Sequence, residues 1–399
     1  VLLVHPGTQY SHHLATELQS LGYLGRFWTG FAVPSDGLVR RLSGALPPRL
    51  RRIVRNRSLP LPSARLRTRP RLEWSATLRL QRHESPQRVL HERNERFQRA
   101  VPDAEIQSSD VVIGFDTASA ILAERSARLG RAFVLDQSTP HPLSKERAYE
   151  TVRREFPDWA TTVESREPAV LAAEEAEQRL ARRIVVASSF CRSTMLACGV
   201  PAERIIVNPY GVDIEAFQPQ PRGSRPLRFL FAGHISAIKG VPLLLRAWAG
   251  IAVGTAELWL VGQRPDGRAP GLDAGGVKWL GKRAAEEMPA LMSQCDVLVL
   301  PSYFEGFGLV LLEAMASGLP VITSDATAGP DLVTEGREGF VIPAGDVEAL
   351  QARLSFFMKQ GASLPGMAAA ARAVAESFTW TAYGRRWKDI LDAECAPAC

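Results

Sequence analysis

The chain has 399 residues, 46% of them hydrophobic and 23% charged, and a formal net charge of +6. Its length exceeds one ordinary hydrophobic core, so two domains are expected, and its composition excludes a disordered or fibrous chain. No run of eighteen apolar residues occurs, so no membrane-spanning helix is expected.

The opening Val1-Leu2-Leu3-Val4 reads as a buried strand, without the basic flank or cleavage site of a secretory leader. Pro6-Gly7-Thr8 follows as a turn, and a helix is expected over 11–21, stopped by Gly22. Between Leu38 and Arg71 lie eleven arginines and no acid: Arg40, Arg41, Arg49, Arg51, Arg52, Arg55, Arg57, Arg65, Arg67, Arg69 and Arg71. Prolines 34, 47, 48, 60, 62 and 70 limit any helices there to short pieces. This basic segment reads in two ways: a solvated insertion, or a patch for an anionic membrane or anionic acceptor. No aromatic residue interleaves its arginines to stack on bases, so nucleic acid is not expected as a partner.

Further along, 86–100 is helical in pattern, 110–114 and 132–135 are apolar runs expected as strands, and a helix near 117–129 joins them. A charged helix over 167–182 and a strand over 183–187 complete the first half. The second half repeats the alternation, with strands over 228–232, 257–261, 296–300, 321–323 and 339–342 and helices over 242–249 and 309–317. Such alternation is that of parallel α/β sheets. The Pro- and Gly-rich stretch 218–226 is the linker candidate. The expected organisation is a first Rossmann-like domain over 1–209, a hinge over 210–226, a second Rossmann-like domain over 227–379 and a closing helix over 380–399 that returns to the first. The five cysteines (Cys191, Cys198, Cys295, Cys395, Cys399) show neither metal spacing nor a disulfide framework, which points to the cytosol.

Residues 301–320 read Pro-Ser-Tyr-Phe-Glu-Gly-Phe-Gly-Leu-Val-Leu-Leu-Glu-Ala-Met-Ala-Ser-Gly-Leu-Pro. One carboxylate, Glu305, falls in the loop after a strand, and a second, Glu313, on the helix that follows. Gly306 and Gly308 leave backbone amides free to approach a ligand at the carboxyl edge of a sheet. Three further features belong with this segment: Asn208-Pro209-Tyr210-Gly211-Val212-Asp213, then Ala232-Gly233-His234 with Lys239-Gly240, and Val261-Gly262 at a strand end.

In this order and spacing the segments resemble the retaining nucleotide-sugar glycosyltransferases of family 4, whose fold (GT-B) faces two Rossmann-like domains across a cleft. The resemblance covers residues from about 180 to 390 and is loose in the first domain. It implies a nucleotide-diphosphate sugar as donor, a hexose-type sugar transferred to a hydroxyl acceptor, and no cofactor. It implies that Lys239 neutralises the diphosphate, that Glu313 accepts hydrogen bonds from the ribose and that Glu305 lies near the transferred sugar. Gly7, Gly233, His234, Gly262, Gly306, Phe307, Gly308 and Leu309 are expected to line the donor. The family's usual arginine after Gly233 is replaced by His234, so either another cation compensates or donor binding is weaker or pH-dependent. His141 resembles the family's cleft histidine and is expected as a catalytic residue beside Glu305 and Lys239, with His12 and His13 as further candidates.

No Asp-x-Asp motif stands in a suitable loop, and no metal is expected. The location expected is cytoplasmic, at the inner face of the membrane if the arginines meet lipid. A hydrolase using Glu305 and Glu313 as acid and base is disfavoured, since Glu313 is expected on the ribose; two other readings stay open, a sugar-nucleotide epimerase of the same fold and a binding protein that has lost turnover.

Overall fold

A computed structural model describes residues 1–8, 10–37, 44, 47–221, 225–251, 256–264 and 269–395. Two parallel sheets form the framework. The first contains β1 (Leu2–His5), β2 (Arg26–Thr29), β3 (Leu66–Thr68), β4 (Val111–Phe115), β5 (Ala132–Gln137), β6 (Arg183–Val186) and β7 (Ile205–Val207). Its spatial order is β3-β2-β1-β4-β5-β6-β7. The second contains β8 (Leu227–Ala232), β9 (Ala256–Val261), β10 (Val277–Trp279), β11 (Val297–Leu300), β12 (Val321–Ser324) and β13 (Gly339–Ile342), in the order β10-β9-β8-β11-β12-β13.

Every pairing is parallel; in the first sheet Leu3 lies opposite Phe27 on one side and Ile113 on the other. Parallel sheets carry helices on both faces, so their central strands are apolar throughout. Leu2, Leu3, Val4, Val111, Val112, Ile113, Val297, Leu298 and Val299 are all fully buried. The strands without a clear sequence signal lie towards the edges. β3 and β10 have three residues each, and β10 (Val-Lys-Trp) is not buried.

In each sheet the strand order reverses once, between β1 and β4 in the first domain and between β8 and β11 in the second. Crevices open at the carboxyl ends of strands at such points. Gly7 and Asp116 follow the first pair, and Gly233 and the 301–308 loop follow the second.

The chain crosses between domains side by side at two places. Val212 bridges Thr379 in parallel, and Gly211 runs so close to the returning chain that a Cβ would lie 2.3 Å from the Trp380 nitrogen. The Trp380–Cys395 helix then packs on the Ser11–Ser20 helix. Gly384 permits the close crossing, since a Cβ there would sit 2.5 Å from that of Glu17. The Tyr383 hydroxyl donates to Asp136 at 3.0 Å and Arg386 donates to Asn208 at 2.6 Å, fixing the helix to the first domain.

Of the Arg-rich stretch, Arg40 and Arg41 lie outside the described residues. Much of the remainder forms the Pro48–Asn56 helix and β3. Helices absent from the sequence reading occupy Pro70–Gln81 and Pro142–Glu155. Among the described residues no helix is long and apolar enough to cross a membrane.

Candidate active site

Gly233, His234, Gly262 and Glu313 come together around one cavity of about 340 Å3, with Gln263, Lys282, Arg283, Met288 and Val310 also in its lining. It sits at the β8/β11 crevice. Gly262 is there because its backbone lies against that of Gly233: a Cβ would be 1.8 Å from the Gly233 carbonyl oxygen. The Gly233 amide in turn donates to Val261 at 2.9 Å, and Gly262 to Gly281 at 3.1 Å.

Glu313 rises from the Leu309–Ala316 helix, whose N-terminus is set by Gly308 in the left-handed region (φ 82°). A side chain at Gly308 would be strained there. Among the described residues the Glu313 carboxylate has no hydrogen-bond partner, and burial pushes it up to about 7. An acceptor-only group so placed is suited to a ligand hydroxyl. The amides of Leu309 and Val310, in the first turn of the same helix, have no intrahelical partner and favour an anion.

His234 is held below its ordinary value by burial and by the Lys239 charge, so it is neutral at pH 7. Among the described residues, the cations lining this cavity are Lys282 and Arg283, both exposed at its rim. They follow Gly281, whose left-handed turn (φ 73°) ends the β10 segment. No motif pointed to them. The signal available in the sequence was a glycine and two cations directly after a strand-like Val-Lys-Trp, a pattern short enough to pass as a loop.

Lys239 and Glu305 form an ion pair. It stands between the domains: Lys239 acts on His234 of the second domain, and the Glu305 charge raises Tyr10 and Cys191 of the first domain beyond what burial does. Gly306 touches the first domain directly. Its carbonyl accepts from the Ser188 hydroxyl at 2.6 Å and the Cys191 thiol at 3.0 Å. Phe307 is buried and packs its edge on Tyr210, which is stacked on Tyr10 at 3.8 Å. Phe307 thus offers a ligand its backbone and not its ring.

Gly7 does not line this cavity. It borders a first-domain chamber of about 330 Å3 at the β1/β4 crevice, with His5, Arg93, Asn94, Asp116, Thr117 and Arg166 among its walls. The chamber is rich in polar atoms that lack protein partners: both ring nitrogens of His5, Nε of Arg93 and Arg166, and Oδ1 of Asn94. His5 is buried and held near 3, so it is neutral, with one N–H and one acceptor to offer. Asp116 accepts from the hydroxyls of Ser138 at 2.8 Å and Thr139 at 2.7 Å. Thr117 holds a left-handed backbone (φ 71°), strained for a β-branched residue. Its amide donates to Glu177 at 2.8 Å and its carbonyl accepts from Asn94 at 2.9 Å. Strain held in place by its surroundings is a mark of functional sites.

His141 lines neither cavity. It is buried as the N-cap of the Pro142–Glu155 helix, with Nδ1 accepting from the Leu143 amide at 3.2 Å and its own amide donating to Thr194 at 3.0 Å. The physical reason is local: Pro142 supplies the first helical position, and the residue before it becomes the cap. His13 is stacked on Trp380 at 3.8 Å, and His12 lies edge-on to Phe27.

Residues 226–360 match the family model described as Glycosyl transferases group 1. The chain is 31% identical over 240 residues to the MMP alpha-(1->4)-mannosyltransferase of Mycolicibacterium hassiacum, covering 57% of each chain. It is 31% identical over 203 residues to the amylovoran biosynthesis glycosyltransferase AmsK of Erwinia amylovora, covering 46% of this chain and 49% of that one. The chain spans about half the length of the curated relatives it matches. Among solved structures, sucrose-phosphate synthase from Thermosynechococcus elongatus superposes with a TM-score of 0.69 at 19% identity over 98% of both chains. Anabaena HepE, solved with UDP and glucose, superposes with a TM-score of 0.64 at 19% identity over 98% of this chain and 99% of that one. These likenesses give the chain the two-domain GT-B fold.

Proposed function

From the match of residues 226–360 to the model described as Glycosyl transferases group 1, we propose that the chain moves a hexose-type sugar from a nucleotide-diphosphate sugar to an acceptor hydroxyl, with retention at the anomeric carbon. The observation that carries this reading is Glu313: a half-buried carboxylate without a hydrogen-bond partner among the described residues, in a cavity rimmed by cations. Nucleotide sugars present the complement, hydroxyls for the carboxylate and a diphosphate for the cations. The relatives' names and the UDP-bound HepE support it.

In this reading Glu313 accepts from the ribose, while Lys282, Arg283 and the helix N-terminus bearing Leu309 receive the diphosphate. Lys239, released from Glu305 as donor enters, stabilises charge growing on the leaving phosphate, and Glu305 turns to the hydroxyls of the sugar. The acceptor enters from the chamber bordered by Gly7. The bond from the anomeric carbon to the phosphate oxygen breaks, the acceptor oxygen bonds to that carbon from the same face, and its proton passes to the departing phosphate. Contact between Gly306 and the first domain keeps water from this space. With these cations assigned to the diphosphate, no metal is required, and activity is expected to survive EDTA.

The test is a thermal-shift screen of UDP-, GDP-, ADP- and dTDP-sugars, because a specific donor stabilises the folded state. One class of nucleotide sugar is expected to raise Tm and to be weakened by Glu313→Ala. No shift with any of them overturns the assignment. Acceptor-dependent nucleotide release then separates a transferase from an epimerase, a hydrolase or a binding protein.

A further inference from the structure

The Arg-rich segment builds one wall of a groove that the donor chemistry leaves unused. The Pro48–Asn56 and Pro70–Gln81 helices enclose about 770 Å3 between them. Phe31, Ile53 and Trp74 give it an apolar lining. Trp74 is 70% exposed and Ile53 49%, and Leu78, one turn after Trp74 on the same face, is 46% exposed. Large apolar side chains clustered in the open mark a binding surface. The cations of the lining are Arg52, Arg57 and Arg71, and its one acid is Glu73.

Glu73 is engaged by Arg93 at 2.5 Å, and Arg93 also borders the acceptor chamber. Gly30 makes this possible. A Cβ there would lie 2.4 Å from the Glu73 carboxylate and 2.5 Å from the Pro6 carbonyl, in the turn that carries Gly7. The Glu73–Arg93 pair is therefore the partition between groove and chamber.

Resting on the glycosyl-transfer reading, we infer that this groove holds the apolar chain of an amphiphilic, phosphate-bearing acceptor, whose hydroxyl end enters the chamber past Glu73 and Arg93. The apolar lining matches a lipid chain and the three guanidiniums match its phosphate. A wholly polar acceptor leaves Trp74 and Ile53 uncovered, and a nucleic acid gives Ile53 and Leu78 nothing to bind. A bilayer surface would touch only the rim of this concave groove, whose inner end backs onto the chamber across the Glu73–Arg93 pair.

The full chain is titrated with decyl phosphate below its micelle concentration, with inorganic phosphate and decyl maltoside as controls and phosphatidylglycerol vesicles as a separate arm. Saturable binding of decyl phosphate is expected, well ahead of both controls, and weakened about tenfold or more by Trp74→Ser combined with Ile53→Ser, as for loss of central apolar contacts. Both positions are exposed, so the variant is expected to keep its Tm and its donor-induced shift. Equal binding of inorganic phosphate, no saturable binding of decyl phosphate, an unaffected variant, or binding to vesicles alone would each overturn the inference. The donor screen does not involve the groove, so failure of the glycosyl-transfer reading is seen there and not here.

Discussion

Gly306 of the second domain lies so close to Ser138 of the first that a Cβ at 306 would stand 1.9 Å from the Ser138 carbonyl oxygen. Ser138 borders the acceptor chamber, and Gly306 adjoins Glu305, whose partner is Lys239. The two domains thus meet at a point where only a glycine fits. Gly306→Ala is expected to hold the domains apart. Its kcat should fall by about 100-fold, the scale for a displacement near 1 Å. Donor affinity, which depends on the second domain alone, should stay within about threefold. Steady-state kinetics beside calorimetric titration of the nucleotide checks this, and an unchanged kcat removes the contact from the account.

The central strands were legible because parallel sheets bury both faces, and runs such as Val111-Val112-Ile113 and Val297-Leu298-Val299 carry that burial in their composition. β2, β3 and β10 were not. They have three or four residues each and contain arginine, lysine and tryptophan, so nothing local separates them from loop. The same gap hid Lys282 and Arg283, which reach the Glu313 cavity through the position of β10 beside β9. His141, expected in the cleft, also caps a helix: a histidine after a strand and before a proline suits that position, and it is tied to Leu143 and Thr194 there. The glutamates at 305 and 313 share one segment yet lie in different surroundings, one ion-paired and one alone, which separates their roles as no spacing rule does.

Lys282 and Arg283 are expected to replace the cation that His234 does not supply. Loss of a charge-assisted contact typically costs about 1.5–3 kcal/mol, so Lys282→Ala and Arg283→Ala should each weaken nucleotide-diphosphate binding by about tenfold or more. The corresponding nucleoside should be little affected, since it lacks the diphosphate. Calorimetry with both ligands checks this; equal losses for the two would place these residues away from the phosphates.

Donor binding should strengthen as pH rises through about 7, where the Glu313 carboxyl ionises and becomes a full acceptor. His234 predicts the opposite sign and a lower range: held below its ordinary value, it gains charge only in acid and would then help an anionic donor. Titrations from pH 5.5 to 8.5 on the wild type and Glu313→Gln separate the two. The rise should vanish in the variant, and a rise that persists assigns it to another group.

Asp136 joins the closing helix to the first domain through Tyr383. Burial pushes its carboxyl from an ordinary 3.8 up to about 8, against the Tyr383 hydrogen bond and aided by Asp116. The folded state therefore keeps a proton that the unfolded chain gives up. This stabilisation is complete below the unfolded value and is lost as pH rises through about 8. Asp136→Asn still accepts from Tyr383 but does not titrate. Its Tm should rise relative to the wild type between pH 6 and about 9; a constant difference in thermal denaturation across that range contradicts the assignment.

The central claim, that the Lys239–Glu305 site transfers a sugar with retention, is tested most directly by following the reaction by proton NMR. The donor is the nucleotide sugar selected by thermal shift, with and without acceptor. The account predicts loss of the donor's anomeric signal only when acceptor is present, a product with the same anomeric configuration, and little turnover in Lys239→Ala or Glu305→Gln. Donor consumption without acceptor, an inverted product, or full turnover in both variants would contradict it.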